Sequence, residues 1–312
     1  MIYSVEDITK NYKDFSALSN INIEIKEPGI YGVLGPNGAG KTTFLKLMLK
    51  ILNPTSGKIY YKDTNIERLG SSYYKEIGAV LEGNRNLYWY LTARQNLRYT
   101  GRLLGLAEAD ISSRTEELLK VMDLQEHGNK KVGYLSRGMQ QKVAIMAALL
   151  HNPKVLFLDE PTLGLDIAAK NSMVKEIHRM ADNGATIFLT THQIDVLEQL
   201  TNSLFIIEKG KLTYQGSIDG LLKQYENSND VHIVISKTEK GNSFLRDGML
   251  KKNVVIKDEG ETYHLVIADM TLQEINLIIK MLVQQEINII SVETEKPNLE
   301  ETLLKFWRYQ HE

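Results

Sequence analysis

Residues 35–42 place glycines, a lysine and a threonine at the spacing G-x-x-x-x-G-K-[ST], the pattern of a phosphate-binding loop. The glycines let the backbone turn tightly and point successive N–H groups at an anion. Lys41 is placed to reach the β- and γ-phosphates, and the Thr42 hydroxyl is placed to hold Mg²⁺. The residues predicted to contact a nucleoside triphosphate are Gly35, Pro36, Asn37, Gly38, Ala39, Gly40, Lys41, Thr42 and Thr43.

The segments on either side of this loop support the same interpretation. Residues 30–34 form a short apolar run that predicts a buried strand, and residues 43–49 predict a helix that continues to about Ile51. The positive N-terminus of that helix would face a bound anion. The alternative is a glycine-rich turn before a helix, and the strand–loop–helix order favours the phosphate loop.

A second chemical feature is a pair of carboxylates, Asp159 and Glu160, directly after the apolar run 155–158. Ligands bind at the carboxyl ends of strands in open α/β sheets. Asp159 is predicted to support Mg²⁺, and Glu160 to orient or deprotonate the water that attacks the γ-phosphorus. Strand ends often carry acidic residues in turns, so the pair alone is weak evidence. It indicates a catalytic site because the chain also has a phosphate loop.

The pattern of strands and helices that would position these residues predicts an α/β protein. Residues 1–30 read as a β region, and residues 92–150 as largely helical. The strands 155–158 and 186–190 with the helix 168–181 between them form a βαβ unit, which implies a parallel sheet. A hairpin is predicted from 204 to 214.

A polar stretch at 224–230 predicts a linker before a separate small α/β unit. The predicted elements of that unit are strands at 231–236, 254–257, 263–268 and 287–292 and helices at 272–284 and 299–307.

Bulk composition narrows the possible functions. The chain has 312 residues, a formal net charge of −2 and no cysteine, which excludes disulfides and thiolate metal sites. The charge provides no electrostatic reason to expect a nucleic-acid partner. We expect no signal peptide, because the first residues do not form a basic segment followed by an apolar core. We expect no membrane span either, because no uncharged apolar run approaches about 20 residues.

Residues 135–139, Leu-Ser-Arg-Gly-Met, resemble the Leu-Ser-Gly-Gly-Gln signature of ATP-binding-cassette (ABC) ATPases. Ser136 and Gly138 match that signature, whereas Arg137 and Met139 depart from it. From the residues alone, Ser136 is predicted to cap the helix that runs to Leu150, and a capped helix N-terminus is itself an anion site. The resemblance implies in addition that this helix end meets the γ-phosphate of ATP held by another subunit.

Other positions match the same family in order. The resemblance implies that Tyr12 stacks on adenine, that residues 163–166 form the loop crossing a dimer interface, and that His192 is the switch histidine at the γ-phosphate. Glu82 stands where the family usually has a glutamine that ligates Mg²⁺, and a carboxylate can still do so. The aromatic stretch 87–91 is placed near the groove for a coupling helix of a membrane subunit.

The resemblance covers about residues 1–220. It implies an α/β, P-loop ABC ATPase fold: a mixed β-sheet core, a helical subdomain at about 83–150 and an antiparallel β region. Residues 221–230 would be a linker, and residues 231–312 a small C-terminal α/β accessory domain.

The signature variant resembles ATPase subunits of drug and antibiotic exporters of the ABC-2 type. The implied activity is hydrolysis of ATP with Mg²⁺ by a head-to-tail homodimer. That dimer would drive a separate transmembrane permease from the cytoplasmic face of the membrane, as a peripheral subunit. The alternative is a soluble ABC ATPase acting on the ribosome or on nucleic acid. Such proteins usually have two cassettes, long insertions or a basic patch, and the chain shows none of these features.

Overall fold

The computed structural model describes residues 1–81, 87–201, 203–225, 229–246, 254–295 and 298–309. The chain divides into a first unit, Met1–Ser217, and a second unit, Ile218–Glu312. In the part of the chain that is described, no helix has the length and apolar character needed to cross a membrane.

The strands of the first unit are β1 (Tyr3–Tyr12), β2 (Phe15–Ile25), β3 (Gly29–Leu34), β4 (Ser56–Tyr61), β5 (Thr64–Asn65), β6 (Ile77–Val80), β7 (Val155–Asp159), β8 (Thr186–Thr190), β9 (Ser203–Glu208) and β10 (Lys211–Ser217). Its α-helices are α1 (Lys41–Met48), α2 (Ser72–Lys75), α3 (Ala93–Leu103), α4 (Glu108–Val121), α5 (Arg137–Leu149), α6 (Ile167–Asp182) and α7 (Ile194–Leu200). Short 3₁₀ turns cover Ile66–Arg68, Gln125–His127 and Val132–Tyr134.

The main sheet has the strand order β10-β9-β3-β8-β7-β6. Strands β6, β7, β8, β3 and β9 run parallel, and β10 closes the edge as an antiparallel hairpin partner of β9. Every residue of β7 and β8 is buried, which explains why both read as continuous apolar runs rather than as alternating patterns. The predicted βαβ unit and the predicted hairpin are both confirmed.

A second sheet, of order β2-β1-β4-β5, is antiparallel. Ile21, Ile23 and Ile25 of β2 are buried while Asn22 and Glu24 are exposed, so this strand presents one face to the core and the other to solvent. The two sheets share an apolar core in which the stacked rings of Phe157 and Phe188 lie 4.8 Å apart, with Tyr3 of β1 edge-on to both.

Helices α3, α4 and α5 occupy the range in which the sequence predicts a helical subdomain. Thr92 begins α3 with a reciprocal capping box to Gln95. Ser136 caps α5 by accepting a hydrogen bond from the Met139 N–H at 3.3 Å, which confirms the capping role predicted for this serine.

The second unit contains α8 (Ile218–Tyr225), β11 (Asn229–Ser236), α9 (Glu239–Arg246), β12 (Val254–Glu259), β13 (Thr262–Met270), α10 (Leu272–Gln284), β14 (Ile289–Glu295) and α11 (Leu299–Tyr309). After α8 the order is βαββαβ, and the antiparallel sheet has the strand order β12-β13-β11-β14. This is the ferredoxin-like arrangement. Its core joins the buried faces of β11 and β13 to Ile275, Ile278 and Leu282 of α10.

The prediction of a linker at 221–230 is wrong for the described residues at its two ends. The residues from 218 to 225 form α8, and β11 begins at Asn229. Leu221 is fully buried, so this segment is an amphipathic helix and not a solvated connection. Helix α9 was also not predicted, because its sequence is polar and contains Gly241.

Candidate functional site

The phosphate loop and the acidic residues predicted to act on a nucleotide meet at one edge of the parallel sheet. Strands β3, β8 and β7 are neighbours, with Val33 of β3 beside Thr190 of β8 and Thr190 beside Asp159 of β7. Because the strands are parallel, their carboxyl ends bring the phosphate loop, Asp159 and the segment after Thr190 to the same place.

Two glycines show why the loop has its sequence. Gly35 has φ +147°, and a Cβ there would lie 2.0 Å from the carbonyl oxygen of Ile207. Gly40, the residue before α1, has φ +110°, and a Cβ there would lie 2.6 Å from the carbonyl oxygen of Ala17. Any side chain at either position would collide with backbone, so these positions require glycine.

Lys41, the first residue of α1, is buried, with 9% of its surface exposed. Its Nζ donates hydrogen bonds to the carbonyl oxygens of Gly35 at 2.7 Å and Pro36 at 3.1 Å. Burial lowers the pKa of the Lys41 ammonium, and the carboxylates of Glu160 and Asp159 oppose that shift. The loop therefore holds a cationic side chain at its centre.

Asp159 is buried, and its two carboxylate oxygens have different partners. Oδ1 accepts a hydrogen bond from the Thr190 hydroxyl at 2.5 Å, and Oδ2 accepts one from the Thr42 hydroxyl at 3.0 Å. These contacts lock the carboxylate against the first turn of α1. The structure thus joins the phosphate loop to the acidic strand end, which are 117 residues apart in the chain.

Glu160 has a left-handed backbone, with φ +50°. A non-glycine residue in this region is uncommon and marks strain of the kind found at functional sites. Its N–H donates to the carbonyl and hydroxyl oxygens of Thr190, both at 3.1 Å, and its Oε2 accepts the His192 N–H at 3.4 Å. Burial raises the pKa of Glu160, and the nearby His192 opposes the shift.

These side chains line a cleft of about 720 Å³. The predicted residues that line it are Tyr12, Asn37, Gly38, Ala39, Gly40, Lys41, Thr42, Thr43, Asp159, Glu160 and His192. Phe15, Ala17 and Gln193 line it too and are not predicted from the sequence, and Leu163, from the loop predicted to cross a dimer interface, also lines it. Phe15 pairs with Tyr12 across the tight turn between β1 and β2, so a second aromatic residue three positions on is the signal that would have found it.

Other predicted residues lie elsewhere. Gly35 and Pro36 hold Lys41 and do not line the cleft. Ser136 and Gly138 do not line it either: Ser136 is exposed at the start of α5, and a Cβ on Gly138 would lie 2.9 Å from the carbonyl oxygen of Gly164. Glu82, predicted as a Mg²⁺ ligand, lies outside the described residues.

The residues of the cleft fit a nucleotide-borne Mg²⁺. Thr42 and Asp159 present two oxygen ligands 3.0 Å apart, and Mg²⁺ prefers oxygen. Within the described ranges, no cluster of three or more acidic or histidine side chains could hold a metal by itself. One or two protein oxygens completed by phosphate and water is the usual arrangement for Mg²⁺ at phosphate-transfer sites.

A glycine-rich loop after a parallel strand, a buried lysine at a helix start and an acidic pair on the neighbouring strand define a P-loop nucleoside triphosphatase. Comparison with known proteins narrows this class. The ABC transporter family model matches residues 18–163. The ABC transporter ATP-binding protein NatA of Bacillus subtilis (strain 168) is 32% identical, over 76% of this chain and 98% of NatA.

The bacitracin transport ATP-binding protein BcrA of Bacillus licheniformis is 37% identical over 72% of each chain. The dimeric ATP-binding cassette MJ0796, solved with ADP and phosphate in a post-hydrolysis state, superposes with a TM-score of 0.64 at 27% identity, covering 69% of this chain and 98% of that one. The chain therefore belongs to the ATP-binding proteins of the ABC transporter family. It is an ATP hydrolase, and the predicted fold class is confirmed.

Proposed function

We propose that the chain is the ATP-hydrolysing subunit of an exporter, and that two copies pair head to tail around ATP to drive a separate transmembrane permease. One observation supports the proposal, and it concerns which of the predicted site residues lie together. Lys41, Thr42, Asp159 and Glu160 share a cleft that Ser136 and Gly138 do not line. The capped start of α5 is an anion site, and a second copy would bring it to the first copy's nucleotide.

Each residue of the cleft has a chemical role in this proposal. Lys41 and the loop N–H groups neutralise the β- and γ-phosphates. Thr42 and Asp159 would hold Mg²⁺, which offsets the charge on the phosphate oxygens when it is bound. Glu160 accepts a proton from the attacking water, and its raised pKa suits that task. His192 keeps its imidazole Nε2 3.5 Å from Glu160 Oε1, at the edge of the cleft.

The surface around the cleft supports a dimer. Tyr12, Phe15 and Leu163 line the cleft and are large apolar residues with 44% to 62% of their surface exposed. Apolar side chains exposed together beside a cleft mark an interaction surface. The solved MJ0796 cassette named above is dimeric, which supports the same arrangement here.

A mixing experiment tests the divided site. Lys41→Ala removes the lysine of the phosphate loop, and Ser136→Asp retains a good helix cap while placing a carboxylate against the partner's phosphate. Each variant alone is expected to be inactive. In an equal mixture, half of the dimers combine one copy of each, and one of their two sites is intact, so about a quarter of wild-type ATPase activity should return.

The neutral variant Ser136→Asn, which still caps the helix, serves as the matched control and should keep more activity than Ser136→Asp. A mixture that stays inactive, although Ser136→Asp binds ATP normally, would contradict head-to-tail pairing. Full activity of Ser136→Asp alone would also contradict it, because the serine would then not face a phosphate.

We further propose that the permease docks where β6 meets the helical region. A cavity of about 260 Å³ opens there, between β6, α3 and α5, and Tyr74, Leu87, Leu103 and Ala147 are among its lining residues. Tyr88, Trp89 and Tyr90 in the adjoining segment are exposed. Aromatic side chains at a small apolar cavity are typical interface anchors. This contact would hold the chain at the cytoplasmic face of the membrane.

The substitution Leu103→Glu tests this surface, since Leu103 is 70% exposed and borders the cavity. We expect the variant to keep its ATPase activity and to lose the membrane protein that co-purifies from detergent-solubilised native membranes. Leu277→Glu is the control, because Leu277 is an exposed leucine on α10. Equal recovery of the membrane protein with both variants would exclude the cavity as the docking surface.

A further inference from the structure

Gln193 lies in the ATP cleft, and the capping of α7 does not use its side chain. It is the residue before α7 and makes no side-chain capping hydrogen bond, while its N–H donates to the Thr191 hydroxyl at 3.0 Å. Its side chain lines the cleft with Lys41, Glu160 and His192. The Gln193 side chain therefore faces the cleft, and the local structure of α7 gives no reason for this orientation.

The amide oxygen of Gln193 is buried and accepts no hydrogen bond from any described residue. Glu160 Oε1 is also buried without a hydrogen-bond partner, and the His192 imidazole Nε2 lies 3.5 Å from it without donating a hydrogen bond. Buried acceptors without donors are rare and disfavoured in proteins. The two oxygens are both acceptors and cannot form a hydrogen bond with each other. Each of them therefore needs a hydrogen-bond donor in the cleft.

Water is the donor that fits, because one molecule carries two O–H groups. Glu160 Oε2 accepts the His192 N–H, and Gln193 follows His192 in the chain, so the two unsatisfied oxygens belong to neighbouring parts of one wall. An amide is suited to this task, since it accepts a hydrogen bond without adding a charge beside the Glu160 carboxylate.

We propose that Gln193 is a further catalytic residue, whose amide oxygen and Glu160 Oε1 together hold the attacking water. The inference rests on the proposed function, in which Glu160 is the base. The water donates one O–H to Gln193 and transfers the other proton to Glu160 as its oxygen forms a bond to the γ-phosphorus. The bond from that phosphorus to the bridging oxygen breaks, and ADP leaves with the electron pair. Glu160 then releases the proton to solvent.

The substitution Gln193→Leu tests the inference, because it keeps the approximate size and removes the acceptor. We expect kcat to fall about tenfold or more, the loss of one hydrogen bond to the reacting water, with the Kd for ATP within about twofold of wild type. Gln199→Leu is the matched control, since Gln199 is exposed on the same helix, and it should leave both constants unchanged.

Gln193→Glu provides a readout that a structural role would not move. It keeps an acceptor and adds a negative charge to a site whose ionisable groups are Lys41, Asp159, Glu160 and His192. A second carboxylate raises the pKa of Glu160, so the acidic limb of the pH–rate profile should move to higher pH while kcat at alkaline pH exceeds that of Gln193→Leu.

The outcomes separate this inference from the proposed function. Wild-type kcat in Gln193→Leu, with Glu160→Gln inactive, would overturn the role of Gln193 and leave the function standing. Parallel losses of ATP affinity and thermal stability in Gln193→Leu would assign the residue a structural role instead, which also overturns the inference. An active Glu160→Gln variant would refute Glu160 as the base in the proposed function, whatever the result with Gln193→Leu.

Discussion

The Glu160→Gln variant is expected to bind ATP with near wild-type affinity and to hydrolyse it at least about 100-fold more slowly, the range for loss of a general base. Glutamine has the same shape and can retain the 3.4 Å contact with the His192 N–H, but it cannot accept a proton at neutral pH. ATP that binds without being cleaved should then trap the head-to-tail dimer. The expected result is a doubled mass in ATP and a monomer in ADP.

Phosphate release and light scattering measure the two halves of this prediction. Glu198→Gln is the control, because Glu198 is exposed on α7 and its neutralisation changes net charge by the same amount. A monomer in ATP, or hydrolysis at the wild-type rate, would contradict the mechanism.

The kcat of the wild-type enzyme is expected to fall at acidic pH. The base must be ionised to accept a proton, so kcat falls as pH falls through the pKa of Glu160. Burial raises that pKa above its ordinary value, and activity should therefore be lost at a higher pH than an exposed glutamate would impose. In Glu160→Gln the residual rate should show no such acidic limb.

Local spacing is what makes the phosphate loop and the acidic strand end recognisable in the sequence. Gly35 and Gly40 fall within one short segment, and Asp159 follows an apolar run whose length indicates a strand buried on both faces. The cap at Ser136 is likewise a property of a single turn.

The features that the sequence does not predict depend on contacts between residues far apart in the chain. Phe15 enters the cleft because β1 and β2 pair, and the side chain of Gln193 is informative only once its buried amide oxygen is seen without a donor. The sheet order β12-β13-β11-β14 depends on pairings between residues far apart in the chain, such as Asp230 with Glu295. Helix α8 was hidden by the polar residues that follow it.

The Lys41→Ala variant should lose ATP affinity by about 100-fold, because a buried ammonium making charge-assisted bonds to phosphate is replaced by a methyl group. This ammonium donates hydrogen bonds to the carbonyl oxygens of Gly35 and Pro36, so the loop is arranged around a cation. Calorimetric titration with ATP measures the loss. Lys46→Ala, on the same helix, should bind ATP normally.

A second substitution at this position separates charge from shape. Lys41→Arg keeps the positive charge but replaces a compact ammonium with a wide planar fork. The loop before Lys41 is closely packed at Gly35 and Gly40, where a Cβ would collide with backbone carbonyl oxygens. We therefore expect Lys41→Arg to lose ATP affinity nearly as severely as Lys41→Ala. If Lys41→Arg restored full affinity, charge alone would suffice and the close fit of the loop would not matter; full affinity in Lys41→Ala would refute the phosphate loop.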